Sequence, residues 1–388
     1  MSVRNRVLPV VTLLLLCVTC GCRRSSWPLW SAYSARFIDA NGRVFDPNGN
    51  QRTTSEGQAY AMFFALVAND RADFDRVLNW TQSNLAQGDL TTHLPAWLWG
   101  QSQNSHGVIL DSDSASDADI WTAYSLIEAG RLWDEPRYSN TGRQMLVLIA
   151  NNEVADLPDF GPMLMPGQTG FQREQTWTLN PSYVPVFVFD RLAEVDHAGP
   201  WHRIALNVPR LIEASARHGF AMDWVEYFPG DGFYPASEED VGARAIGEKG
   251  GPGGASDAIR VYLWAGMQYE HSPARARLVN AVSAMNGYLE DHDAPPERVS
   301  GDGIPDAQDG PVGFSAAMLP YLRAFPDRSA VSAQQMIRMS LMKDTSTGLY
   351  GKGLSCYDQN LALFSTGFID GRFSFGPEGE LKVNWTHR

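Results

Sequence analysis

Apolar side chains recur three and four positions apart in one run after another, and short polar breaks separate the runs. Thr54 or Ser55 can cap a helix that carries Tyr60, Phe63, Phe64 and Val67. The pair Asn69-Asp70 breaks it, and a second helix over residues 71–85 carries Phe74, Val77 and Leu78, so the two form an αα-hairpin. The same signature predicts helices over 119–133 and 141–154, 181–195 and 202–218, 256–269 and 273–289, 312–325 and 329–342, and a last one over 354–368. With a short helix over 27–38 the total is about twelve, each of ordinary globular length. Asp46-Pro47-Asn48-Gly49 reads as a turn. Strand signals are few, with residues 160–167 and 373–383 as the candidates.

No Pro-, Ser- or Gly-rich linker separates two cores, so the pattern predicts one all-α domain. About six hairpins closing on themselves would place a ring of inner helices inside a ring of outer ones; an open solenoid and a bundle are the alternatives. A solenoid should repeat its sequence more plainly than this chain does.

The polar loop before the predicted helix at 119–133 is crowded with Asp111, Asp113, Asp117 and Asp119. Ser116 or Asp117 can cap that helix, which carries Ile120, Tyr124 and Ile127 at helical spacing. A cap needs one such residue, and the excess costs repulsion unless a metal ion or a sugar uses it. An EF-hand loop wants glycine at its sixth position, where Ser116 stands. The aspartate-rich loop from Ser300 to Asp309 also has the look of a calcium loop but lacks regular ligand alternation, so a solvated turn is expected there. No paired cysteines and no His-x-x-x-His spacing suggest zinc, and no metal or organic cofactor is expected.

The chain has 388 residues, 44% of them hydrophobic, which is enough for one large core or two domains. Its net charge of −13 disfavours nucleic acid, which demands a basic face. The N-terminus reads as an export signal over residues 1–21. Arg4 and Arg6 precede the apolar stretch 7–18, which is too short to span a bilayer as a mature helix. The run Thr19-Cys20-Gly21-Cys22 resembles a lipoprotein processing box, so lipidation at Cys22 and ordinary cleavage nearby are both open. No other segment is long and apolar enough to span a membrane, so residues 22–388 are expected to form one exported unit, periplasmic or secreted, with at most a lipid anchor.

Three predicted helices begin alike. Glu56, Asp117 and Asp257 each follow a serine where a polar loop turns into an apolar helix. If these helices line the inside of a ring, the three acids converge on one cleft. That suits polysaccharide hydrolysis, in which one carboxyl group protonates the leaving oxygen and a second activates water or attacks carbon. The positive end of a helix favours an ionised carboxylate, whereas a general acid must hold its proton; aromatic burial and a neighbouring aspartate are the expected counterweights. The twelve Trp and thirteen Tyr supply faces on which sugars stack, although large aromatics also fill cores. The candidates for substrate contact are Trp97, Trp99, Trp121, Trp177, Tyr183, Trp224, Arg260 and Tyr262. Trp177 and Trp224, in polar loops, are the stronger ones, and Trp121 and Tyr262, on apolar helices, the weaker.

The run ASDADIWTAYSLIEAGRLW closely resembles the signature of glycoside hydrolase family 8. TTSEGQAYAMFFALVANDRADFD, LPAWLWG, NPSYVP, SDAIRVYLWAGM and GPVGFSAAMLP look like the branch of that family encoded with bacterial cellulose synthase, in the same order along nearly the whole chain. The resemblance implies an (α/α)6 barrel and internal hydrolysis of β-1,4-glucan with inversion, in cellulose biosynthesis beside a cellulose synthase complex. By position it implies Glu56 as proton donor and Asp257 as base. Asp117 matches a residue often marked as nucleophile; inversion needs none, so Asp117 is expected to hold the sugar and tune Glu56. The glycine-rich run before Asp257 and the tail after Gly371 depart from the family pattern. Chitosan, xylan or mixed-linkage glucan as substrate, and a glucan-binding accessory without catalysis, are the alternatives.

Overall fold

The polar breaks and apolar runs resolve into thirteen α-helices among the described residues of the computed structural model, which are 27–101, 107–236 and 252–386. The segment expected to be an export signal, Cys22 and most of the glycine-rich run before Asp257 lie outside them. Six helices form an inner set: α2 (Ser55–Val67), α4 (Ser116–Leu132), α6 (Val186–Val195), α8 (Ala258–Met267), α11 (Val312–Leu322) and α13 (Cys356–Ile369). All but α6, which keeps Asp190, Arg191 and Glu194 on a partly exposed side, are buried nearly all round. Every residue of α8 and α11 is buried, and Glu56 is the one residue of α2 that is not. A helix with no polar face has to be enclosed. These six pack side by side in chain order, with the 3₁₀ turn Pro181–Tyr183 filling between α6 and α8, and α13 returns to α2 to close the ring.

The outer ring consists of helices with one apolar stripe. The helix α3 (Arg71–Asn84) lies on α2, α5 (Pro136–Asn152) on α4, α7 (Trp201–Ser215) on α6, α9 (Pro273–Ala281) on α8 and α12 (Ser329–Leu341) on α11. The sixth outer place, against α13, is taken by α1 (Pro28–Phe37). This is the (α/α)6 architecture. The barrel axis is filled by rings: Trp121 of α4 meets Phe63 and Tyr60 of α2, Trp264 of α8, Phe364 of α13 and Phe187 of α6 at centroid distances of 5.0 to 6.0 Å. Gly266 lets α8 and α11 touch, because a Cβ there would stand 2.2 Å from the backbone of Pro320 and Tyr321.

Several boundaries differ from the sequence reading for local reasons. Pro136 opens α5 five residues early, since proline is preorganised for a first turn. The helix expected over 273–289 is interrupted, and α10 (Ala284–Asp291) follows α9 after a break. There the Val282 carbonyl accepts from the Tyr321 hydroxyl at 2.9 Å and the Ala284 N–H donates to Gly219 at 3.1 Å, so tertiary partners replace helical ones. Strands occur in both expected places, β4 (Val154–Leu157) with β5 (Gly161–Leu164) and β12 (Phe373–Phe375) with β13 (Leu381–Val383). Two antiparallel sheets were not legible. One joins β1 (Thr53–Thr54), β2 (Leu98–Gln101) and β3 (Gly107–Asp111). The other joins β6 (Gln172–Arg173), β7 (Thr176–Leu179), β8 (Val225–Phe228) and β9 (Gly232–Pro235). A further pair, β10 (Gly253–Gly254) with β11 (Val299–Ser300), ties the segment before α8 to the loop at 300–309. No helix among the described residues is long and apolar enough to cross a membrane.

Candidate active site

The N-terminal ends of the inner helices face one cleft of about 630 Å³. Glu56 reaches it from α2, Tyr183 from the turn before α6, Asp257 and Arg260 from α8, Pro311 from the start of α11, and Cys356 and Tyr357 from α13. Thr54 caps α2 by accepting the Gly57 N–H at 3.1 Å, which points the next side chains into the opening. Of the three acids expected to converge, Glu56 and Asp257 line the cleft, and Asp117 lies buried behind them, 3.7 Å from Arg260.

Arg260 gathers them. It is only 2% exposed, and one guanidinium nitrogen donates to Glu56 Oε2. Another donates to Asp257 Oδ1 at 2.8 Å and to the Ser182 hydroxyl at 2.9 Å, and lies 3.7 Å from Asp117 Oδ2. The other oxygen of Asp257 accepts from Asn180 Nδ2 at 2.7 Å, and Asn180 Oδ1 accepts from the Ser182 N–H and hydroxyl at 3.0 and 2.7 Å. Arg260 therefore lines the cleft and is at the same time the cation that holds the carboxylates, a part the sequence reading did not assign to it.

One cation faces three acids, so the electrostatics cannot balance with all three ionised. Asp117 is the most enclosed of the three. It is 2% exposed, and one oxygen accepts the Ala118 N–H at 2.8 Å. Burial pushes its carboxyl well above the usual carboxylate range, the Glu56 charge adds to that, and Arg260 opposes it. Asp117 bonds within its own first turn and does not serve as the helix cap; α4 begins after Ala115 without a side-chain cap.

Asp119 turns away from the cleft. It is fully buried, as is Glu153 at the end of α5, and the two acids lie near enough to raise Asp119 further, while Ser114 donates to Glu153. Burial raises both carboxyls, Glu153 to about 7. Among the described residues no group of three or more His, Cys, Asp and Glu side chains is arranged to hold a metal ion, at the Asp111–Asp119 loop or at 300–309.

The aromatic candidates divide. Trp97, Tyr183 and Trp224 line the cleft. Trp224 stands edge-on to Tyr183 at 6.0 Å and stacks on Phe171 at 6.2 Å, which fixes its face. Trp121 belongs to the barrel axis and Tyr262 to the core, where its hydroxyl accepts the Ala221 N–H at 3.0 Å. Their helices are buried on nearly every side, which leaves the two rings no exposed face. Trp177 is likewise packed, 6% exposed in β7 against Tyr227, because the unread four-stranded sheet covers it. Trp99 lies outside the cleft lining, over the Arg43 guanidinium at 4.2 Å and edge-on to Trp80. Tyr357, Asn180 and Ser182 were missed as site residues. Asn180 and Ser182 lie inside the NPSYVP run, and Tyr357 has no sequence signal of its own.

The sequence profile of the family "Glycosyl hydrolases family 8" matches residues 3–361. An endoglucanase of Xanthomonas axonopodis pv. citri is 43% identical over 92% of this chain and 89% of its own, and an endoglucanase of Escherichia coli K12 is 41% identical over 97% and 96%. The crystal structure of an endo-1,4-D-glucanase from Vibrio fischeri superposes with a TM-score of 0.84 at 35% identity, covering 93% of this chain and all of that one. A barrel of paired helices, an open cleft at the N-terminal ends of its inner ring, and a match along nearly the whole sequence agree: the chain belongs to glycosyl hydrolase family 8.

Proposed function

We propose that this glycoside hydrolase is an endo-β-1,4-glucanase that cleaves with inversion, with Glu56 as general acid and Asp257 as general base. The observation that carries the reading is the single buried arginine that brings Glu56 and Asp257 to the floor of one open cleft. Glu56 delivers its proton to the glycosidic oxygen as the bond to the anomeric carbon breaks. Asp257 takes a proton from the water that attacks that carbon from the opposite face. Asp117, buried beside Arg260, supports the Glu56–Arg260 pair from below and tunes Glu56. Trp97, Tyr183 and Trp224 offer faces to neighbouring sugars along a cleft that accepts the interior of a chain.

Residues 1–21 are read as an export signal and 22–388 as one catalytic unit, working outside the cytoplasm on nascent glucan beside a cellulose synthase complex, with Cys22 as the lipidation candidate. Proton NMR of the first product from cellohexaose, recorded before mutarotation, tests the chemistry. New α-anomer is expected. Initial β-anomer would move the nucleophile to Asp117 and remove Asp257 from its role.

A further inference from the structure

Asp223 is a buried acid that the reaction scheme does not use. It precedes Trp224 in the chain and is 3% exposed. One oxygen, Oδ1, accepts three backbone N–H groups from the segment entering α8: Ala255 at 2.9 Å, Asp257 at 3.0 Å and Ala258 at 2.6 Å. Its own N–H donates to the Gly253 carbonyl at 2.9 Å. The first N–H groups of a helix have no partner inside it, and the residue at the helix start commonly supplies one. At α8 that residue is Asp257, which makes no side-chain cap bond and directs its oxygens to Arg260 and Asn180. The cap comes from an acid 34 residues upstream.

We propose that Asp223 is the positioning residue for Asp257: it caps α8 from outside, which frees the Asp257 carboxylate for the cleft and fixes the backbone from which it projects. The inference rests on Asp257 being the base. Because Trp224 follows directly and lines the cleft, one short segment holds an aromatic wall and the base in a common frame. The arrangement is a demand on reach. All three N–H groups point at a single oxygen, so a neutral carbonyl in the same place can receive them, whereas a displaced carboxylate cannot.

Shifting an activating group by an ångström costs on the order of a hundredfold, and two variants separate reach from charge. Asp223→Asn keeps the acceptor and loses the charge; it is expected to hold kcat within about threefold of the parent. Asp223→Glu keeps the charge and moves the acceptor by one methylene; it is expected to lose roughly 10- to 100-fold in kcat with little change in KM. The reverse order, or equal losses in both, overturns the proposal. If Asp223→Glu does not fold, a loss in folded Asp223→Asn beyond about tenfold does the same.

Azide on a β-cellotriosyl fluoride distinguishes this inference from the reading beneath it. Azide forms its bond to the anomeric carbon as fluoride leaves, and needs no base. It is expected to restore turnover to Asp257→Ala and to Asp223→Glu. Restoration in Asp257→Ala alone overturns the role of Asp223. Failure in Asp257→Ala overturns the base assignment and takes the inference with it.

Discussion

The two ends of α4 carry buried carboxylates in opposite states of compensation. Near its C-terminus Glu128 is fully buried, with Arg191 at 2.7 Å, Arg131 at 2.5 Å and the Leu381 N–H at 2.8 Å. Two cations and a backbone donor serve one acid, and the cluster ties α4, α6 and the terminal β12–β13 hairpin together. Near its N-terminus Asp117 shares one arginine with Glu56 and Asp257, and Asp119 faces Glu153, another acid. A buried charge is costly unless paired. The satisfied end is scaffold, and the end short of cations is where protons must be held and moved.

That contrast can be broken at each site. The largest expected effect is on Glu56→Gln: loss of the general acid lowers turnover by about a thousandfold with the thermal midpoint unchanged, as steady-state release of reducing ends and calorimetry would record. A fully active variant removes Glu56 from the mechanism. At the other end, Glu128→Ala strands Arg191 in the interior and is expected to cost about 3–5 kcal/mol in urea unfolding. Activity of the remaining folded protein should be normal. A variant that loses turnover while keeping its stability would erase the distinction between the two ends. The smallest effect concerns pH. Glu153 titrates near 7 in the folded protein and at the ordinary value of 4.5 when unfolded, so the folded state binds the extra proton between those values. Stability then falls as pH rises through that window, by at most roughly 1.4 kcal/mol for each unit. Glu153→Gln should flatten the dependence of the thermal midpoint between pH 4.5 and 7, and an unchanged slope would mean that Glu153 holds no extra proton.

The inner helices were legible by their apolar runs, and three of their starts because Glu56, Asp117 and Asp257 stand at the change from polar to apolar sequence. Arg260 was visible as an arginine within the otherwise apolar run AIRVYLWAGM, but its part in holding the acids was not read, since a sequence does not show that three acids lie around it. The aromatic wall was read less well than the acids. Trp177 sits in a polar loop by sequence, yet pairing of β7 with β8, fifty residues apart at Trp177 and Tyr227, buries it. Short strands with distant partners leave no periodic trace. Asp223 had none either, because its role depends on N–H groups across a segment that the sequence reading took for loop.

The sixth hairpin of the ring pairs α13 with α1, and the Tyr33 hydroxyl meets the Cys356 thiol at 3.5 Å across 323 residues. Five hairpins can assemble locally while the polypeptide is still being synthesised. The sixth cannot, and bringing such distant segments together carries the loop-closure cost of the whole chain between them. The seam runs beside α2, so Glu56 and Tyr357 face the same cleft only after it has shut. A ribosome-bound chain is therefore a row of helix pairs without a working site, and catalysis begins only when the last inner helix arrives.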